Sequence, residues 1–255
     1  QWGFGSGCAQ ATYFGGVGGV VVDGTLRTLP NGVPEPFMFL FPRSAVQVID
    51  TWKVLGMRGT GSHDYKVEGL KVPATHAFSL LSPPRQTGPL YRFPLTTLLG
   101  LALAPVAVGL GRAAITALVE LAGAKRPAGQ PNLVRERSLV QSQVARAEGL
   151  VRSARALLYD SVGEVWRAVA ERGEPVSLEH RALLRLSATH CTHAAAQAVD
   201  LMYDAGGASS FHDSSPLQRL FRDAHVATQH AMVATQSYET IGRVFLGMDP
   251  GTPRF

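Results

Sequence analysis

The strongest constraint on the fold is an abrupt change of character across residues 81–92 (LSPPRQTGPLYR). Before it, short apolar or alternating runs stand at Val17–Val22 (VGGVVV), Phe37–Phe41 (FMFLF) and Ala45–Ile49 (AVQVI). Asp23-Gly24 and Pro30-Asn31-Gly32 separate them, so the region reads as strands and turns. Val54 to Pro73 alternates in part, with Gly69 a candidate bulge. No helical segment lies between these runs, so an antiparallel barrel or sandwich is expected rather than a doubly wound sheet. After the break, Phe93–Gly123 is rich in Ala, Leu and Val at helical spacing, and Pro127–Asn132 interrupts it. Leu133–Arg172 follows as a long amphipathic helix. After the turn Gly173-Glu174-Pro175, Ser177–Ala205 is a third helix, opened by a Ser177 cap. Ser214–Gly247 is a fourth. Long helices on short connections predict an up-down four-helix bundle. The expected architecture is α+β: a β-domain at 1–80, a linker at 81–92 and a bundle at 93–255.

The fourth helical stretch is the most unusual. Ser214, Ser215 and Pro216 form a start signal, and Leu217, Leu220, Phe221, Ala224, Ala227, Ala231, Val233 and Ile241 recur at helical spacing. Arg222, Asp223, His225 and His230 lie inside that apolar pattern. On one continuous helix, Asp223 and His230 point the same way, about 10 Å apart along the axis. His225 points elsewhere. A lone helical histidine is usually a satisfied structural group.

Composition removes several classes. With 45% apolar and 17% charged residues in 255, the chain has an ordinary globular balance. The net charge of +5 comes from arginines spread over the helices. No basic stripe with interleaved aromatics speaks for nucleic acid, although a few arginines suffice to attract an anionic cofactor. Cys8 and Cys191 form no disulfide framework, which fits a reducing cytoplasm. The opening QWGFGSGC reads as no secretory signal, so none is expected, and the longest apolar run, Leu98 to Leu110, is too short and too Gly/Pro-punctuated to span a membrane. His190, Cys191 and His193 lack a further ligand at metal-binding spacing, so no metal site is expected. Neither a GxSxG elbow nor a paired-carboxylate bundle motif is present.

Three glycine-rich stretches remain. Trp2–Ala11 (WGFGSGCAQA) spaces glycines so that backbone can approach a flat ligand, with Ser6 as hydroxyl and Trp2 as ring face. Leu55–Ser62 (LGMRGTGS) combines three glycines, a cation and two hydroxyls, and suits an anion or cofactor edge. Asp204–Ser210 (DAGGASS) can expose backbone N–H groups at Gly206-Gly207 ahead of a helix start. Each serves equally as a loop, an interstrand turn or a helix C-cap.

Taken together and in order, WxFxSGC at the start, WKVLGMRGTGS…VPATHAF at 52–78 and YDAGGASSFHDSSPLQRLFRDAHVATQH at 203–230 resemble the acyl-CoA dehydrogenase fold family. The likeness is to its flavin-dependent monooxygenase branch, which holds the oxygenase components of two-component aromatic hydroxylases. The resemblance implies an N-terminal helical domain, a middle β-barrel and a C-terminal bundle, of which this chain is expected to hold the last two. It also separates two chemistries. The dehydrogenases take an α-proton with a glutamate, in one version near His230-Ala231 and in another near Pro105–Arg112. Neither place carries an acid here, and Glu239 lies more than two turns further on. The monooxygenase branch has a histidine where His230 stands.

By resemblance, therefore, the expected activity is hydroxylation of an aromatic or similar small molecule. Reduced FMN or FAD, diffusible and delivered by a separate flavin reductase, reacts with O2 through a C4a-hydroperoxide. His230 would act on the substrate or the peroxide, Ser6 would meet flavin N5, and Trp2 would flank the ring. Arg58, Ser62, Gly206 and Gly207 are flavin-contact candidates. Because the Gly-Gly loop of the family often meets a neighbouring subunit's flavin, a homotetramer is implied. An acyl-CoA dehydrogenase-type flavoenzyme and a truncated, non-catalytic family member are the alternatives.

Overall fold

The computed structural model describes residues 1–252 and 255. It divides into two compact units. The first is Gln1–Val54 with Arg58–Arg85; the second is Gln86–Phe255 together with the short segment Leu55–Met57.

The first unit is made of short strands: β1 Trp2–Gly5, β2 Tyr13–Gly18, β3 Val21–Val22, β4 Thr25–Leu26, β5 Phe37–Pro42, β6 Gln47–Ile49, β7 His63–Lys66 and β8 Ala77–Ser79. They pair antiparallel as β1-β7-β6, β2-β5-β8 and the hairpin β3-β4. Among the described residues these sheets are open, so of the barrel or sandwich expected from the strand pattern the structure shows the sandwich. With strands of two to six residues and prolines and glycines between them, no continuous ladder closes on itself. Phe14, Phe39 and Phe41 of one sheet meet Trp2, Val48 and Tyr65 of the other in a shared core. Two bonds tie the layers: Tyr65 Oη donates to the Gly15 carbonyl at 2.6 Å, and Trp2 Nε1 donates to the Val17 carbonyl at 2.7 Å. Asp23 and Gly24 make the two-residue β3–β4 turn with φ of 49° and 76°. Both positive values mark a type I′ hairpin. Gly69 is in a turn with φ of 60° rather than in a strand bulge.

The second unit holds α1 Leu95–Ala124, α2 Ser138–Trp166, α3 Leu178–Gly206, α4 Pro216–Thr228 and α5 Ser237–Phe245. The Ser177 hydroxyl accepts from His180 N at 3.1 Å, so the expected cap of α3 is present. α3 packs against each of the other helices, and its buried face is mostly small residues, alanine the commonest. Leu118, Val151, Val199, Met202 and Leu217 fill the centre. Small residues set the spacing: a Cβ on Gly111 would lie 2.9 Å from Val151 Cγ2. α1 is long and apolar enough to cross a membrane by length and composition alone, contrary to the expectation from Leu98–Leu110. Its buried Gly100, Ala104, Ala107, Gly111, Ala114, Leu118 and Ala122 recur at three and four residues, the pattern of a helix facing a protein core.

The fourth helix is not continuous. α4 stops at Thr228, residues 229–236 turn, and α5 begins at Ser237. Local side-chain bonds compete with the helical ladder there. Thr228 Oγ1 donates to the His225 carbonyl at 2.7 Å, and His230 Nδ1 accepts from Met232 N at 3.2 Å. Val233 is fully buried beside Ala104, Ala188 and Cys191, and its carbonyl accepts from His193 Nε2 at 3.1 Å. Burial of Val233 pulls the chain inward where a straight helix would continue past it.

Candidate functional site

In the first unit, two of the glycine-rich stretches come together. β1 pairs with β7, and the loop after β1 is stitched to the turn Arg58–Thr60. Gly7 N donates to the Thr60 carbonyl at 2.8 Å, and the Cys8 thiol to the Gly61 carbonyl at 3.0 Å. Phe4 and Gly7 both take positive φ, 56° and 78°. Positive φ is uncommon for a non-glycine residue and marks a backbone held by its surroundings. Between the two loops runs a row of hydroxyls. Ser6 Oγ lies 2.8 Å from Ser62 Oγ, which lies 2.7 Å from Thr60 Oγ1. Ser62 is buried, whereas Ser6 is exposed and can meet a ligand. Arg58, at the start of the turn, is exposed as well.

Trp2, expected to flank a cofactor ring, is half-buried at the start of β1. It stacks on Tyr65 with centroids 5.4 Å apart, and Phe41 lies 5.5 Å away. A Cβ on Gly16 would meet its ring at 2.5 Å. The indole is thus packed into the sandwich core. Burial, with Cys8 nearby, pushes the Tyr65 phenol above its ordinary pKa, so its proton stays on the bond to Gly15.

In the second unit, α3 ends at Gly206-Gly207, and Gly207 takes φ of 57°. A Cβ on Gly206 would overlap Ser210 Oγ and lie 3.1 Å from Leu217, so only glycine fits. A cavity of about 300 Å³ lies beside this loop, lined by Lys125, Arg137, Gln143, Asp204, Gly206 and Gly207. Lys125 Nζ donates to the Gly206 carbonyl at 3.3 Å, and Gln143 Nε2 to Asp204 at 2.6 Å. Two cations beside a glycine loop suit an anionic group. His230 sits in the turn after α4, exposed, with Nδ1 committed to Met232 N and Nε2 directed away from that bond. The break at Thr228 means that Asp223 and His230 do not share one straight helix.

Asp223 and Arg222 instead grip the segment Leu55–Met57. Asp223 Oδ1 accepts from Met57 N at 2.6 Å, and Arg222 Nη1 donates to the Leu55 carbonyl at 3.1 Å. Arg222 also reaches Gln218 Oε1 at 2.5 Å. These contacts make Arg222 and Asp223 a structural clamp, and its partner segment could not be read from sequence. His225, without an expected role, bonds Asp200 through Nε2 at 2.7 Å. Sequence reading also missed Thr60 and Lys125. The hydroxyl pair in RGTGS was a signal for the first; nothing in sequence marks Lys125.

The profile of the acyl-CoA dehydrogenase C-terminal domain matches residues 101–235. The chain belongs to that family. Its relatives narrow the likeness. It is 34% identical over 251 residues to an indole-3-acetate monooxygenase of Pseudomonas putida, covering 98% of this chain and 62% of that protein. It is 32% identical over 241 residues to the flavin-dependent monooxygenase oxygenase subunit HsaA of Rhodococcus jostii, covering 90% and 60%. Among solved structures, XiaF from Streptomyces sp. in complex with FADH2 and glycerol superposes with a TM-score of 0.86 at 27% identity. That match covers 99% of this chain and 64% of the other. The 3-HSA hydroxylase from Rhodococcus sp. RHA1 gives 0.85 at 28%, covering 100% and 65%. The chain thus spans between three fifths and two thirds of the length of these relatives.

Proposed function

We propose that this chain belongs to the oxygenase component of a two-component flavin-dependent monooxygenase that hydroxylates an aromatic or similar small molecule. The observation that carries the reading is the exposed Ser6 hydroxyl, fixed from behind by buried Ser62 between two stitched glycine-rich loops. A hydroxyl that can donate or accept, on a backbone without side chains in the way, fits the polar edge of a flat heteroaromatic ring. The relatives named for flavin-dependent oxygenation, and the neighbour solved with FADH2, support the same group.

Reduced FAD or FMN, arriving from a separate reductase, supplies the electrons that activate O2. The protein's own residues do the rest. Ser6 orients the ring edge; Arg58 and Ser62 support it. Gly206 and Gly207 leave the cavity beside Lys125 and Arg137 free of side chains, and those two cations offer positive potential to an anionic part of the flavin. By family likeness that flavin is held mainly by a neighbouring subunit, so the working form is a homotetramer in the cytoplasm. Trp2, held on one side by Tyr65, flanks the ring. With Nδ1 accepting from Met232 N, the neutral His230 ring carries its proton on Nε2, which holds it toward the substrate and can donate it there.

The test is anaerobic titration with reduced flavin, then mixing with O2 and an aromatic substrate, with hydroxylated product measured in one turnover. Loss of general acid–base catalysis in His230→Ala is expected to lower product formation about 10²- to 10⁴-fold while flavin still binds. Reduction of a bound flavin by an acyl-CoA would establish a dehydrogenase instead. Failure of the wild-type protein to bind any flavin would leave a non-catalytic family member.

A further inference from the structure

Ser6 does not stand alone. Behind it, Ser62 Oγ makes two bonds, to Ser6 at 2.8 Å and to Thr60 Oγ1 at 2.7 Å. A hydroxyl has one proton to donate and two lone pairs to accept with. Ser62 is buried, so in this row it donates to one neighbour and accepts from the other. Two orderings satisfy it. In the first, Thr60 donates to Ser62, Ser62 donates to Ser6, and the Ser6 proton is free to point outward. In the second, every hydroxyl is turned round: Ser6 donates to Ser62, Ser62 donates to Thr60, and Ser6 presents lone pairs outward.

We infer that Thr60 and Ser62 are positioning residues that let Ser6 serve a ring nitrogen in either of its protonation states. This rests on the reading of Ser6 as the partner of a flavin edge. The relevant nitrogen, N5, is a bare acceptor in the oxidised ring. Reduction by two electrons places a proton on it and makes it a donor. The first ordering serves the acceptor, the second the donor. Moving from one to the other requires rotation of three O–H bonds and no net proton transfer through the protein. A lone serine could also rotate, but its proton would then need an inward acceptor. Ser62 is that acceptor, and Thr60 lets Ser62 take the role without burying an unsatisfied donor, which is costly.

The two orderings depend on Thr60 unequally. With Thr60→Val, the first ordering costs Ser62 a bond that it accepted, while its own proton keeps Ser6 as acceptor. The second leaves the Ser62 proton buried without an acceptor, and unpaired buried donors are rarer and costlier than under-used acceptors. The substitution therefore penalises the state that binds the reduced ring. Ser6→Ala abolishes the distinction, because no hydroxyl then links the row to the ligand.

The experiment measures dissociation constants for oxidised FAD and for chemically reduced FAD under anaerobic conditions, by difference spectroscopy. FMN is run in parallel. Wild type, Thr60→Val, Thr60→Ser, Ser6→Ala and the Ser6→Ala/Thr60→Val double variant are compared, with far-UV circular dichroism as a check of folding. Thr60→Val is expected to raise the ratio of the reduced to the oxidised dissociation constant about tenfold, the scale of one unsatisfied buried donor. Thr60→Ser is expected to restore the wild-type ratio, and in the Ser6→Ala background Thr60→Val is expected to leave the ratio unchanged. A Thr60→Val effect that weakens both forms equally, or persists without Ser6, overturns the relay and leaves the flavin reading intact. Absence of binding of either flavin to the wild-type chain overturns both.

Discussion

The grip of α4 on Leu55–Met57 can be tested through Gly56. A Cβ on Gly56 would overlap the Arg222 carbonyl and come within 2.7 Å of Asp223 N. These are backbone atoms of a helix, so no side chain can swing aside. Gly56→Ala must therefore undock the segment rather than deform the helix. That sets a ceiling on the cost. Undocking forfeits the bond from Met57 N to the Asp223 carboxylate at 2.6 Å and that from Arg222 Nη1 to the Leu55 carbonyl at 3.1 Å. Hydrogen bonds to charged groups contribute about 1.5–3 kcal/mol each, with the exposed Arg222 bond at the low end. Met57, freed from its φ of 52°, regains about 1 kcal/mol of backbone strain. The net loss is about 2–3 kcal/mol.

Urea unfolding followed by far-UV circular dichroism measures this loss, and amide exchange at Met57 reports the undocking directly. Asp223→Ala alone removes the stronger bond and is expected to cost about 2 kcal/mol. Because both substitutions release the same segment, the double variant should resemble Gly56→Ala alone. Additive losses, or a Met57 amide still protected in Gly56→Ala, would refute the reasoning.

Leu118 is fully buried between α1 and its neighbours; Leu118→Ala is expected to cost about 2–5 kcal/mol by urea denaturation, and a loss below 1 kcal/mol would show a core that collapses around the gap. Hydrogen bonds from Arg112 and then Arg152 lower the Glu148 carboxyl from 4.5 to about 2. A depressed carboxylate stabilises fully above its ordinary value and loses that contribution as pH falls through the lower one. Since the Arg112 and Arg152 side chains are 42% and 77% exposed, screening leaves about 1 kcal/mol. Glu148→Gln should show that deficit at pH 7 and a shrinking one below pH 4.5; a deficit independent of pH would remove the ion pairs from the account. Burial pushes the Cys191 thiol up to about 11, so its alkylation at pH 8, followed by peptide mass spectrometry, should keep pace with global unfolding. Rapid labelling of the native protein would contradict that placement.

What the sequence made legible, and what it hid, follows from the range of each interaction. The change of character at 81–92 and the helical periods of α1 to α3 report local propensity and one-sided burial, so the ends of α1 and α3 fell within two residues, while α2 is shorter by five residues at its start and six at its end than the expected Leu133–Arg172. Whether the strands close into a barrel or stay open as a sandwich depends on strand length and register across the chain, which alternation does not encode, and the sequence left both open. Ser214–Gly247 shows the same limit inside one element. Its apolar spacing reads as a single helix, yet Thr228 and His230 bond locally while Val233 is drawn into a core built from α1, α2 and α3. The period is right on both sides of the break and uninformative at it. Candidate site residues divide likewise. Ser6 and Ser62 carried the right chemistry in the right loops, but the Thr60–Ser62–Ser6 row spans 56 residues of sequence between its two serines. Each hydroxyl is ordinary for a glycine-rich turn. The direction of donation, which gives the row its capacity to answer two protonation states, exists only once β1 and β7 have paired and buried the middle oxygen.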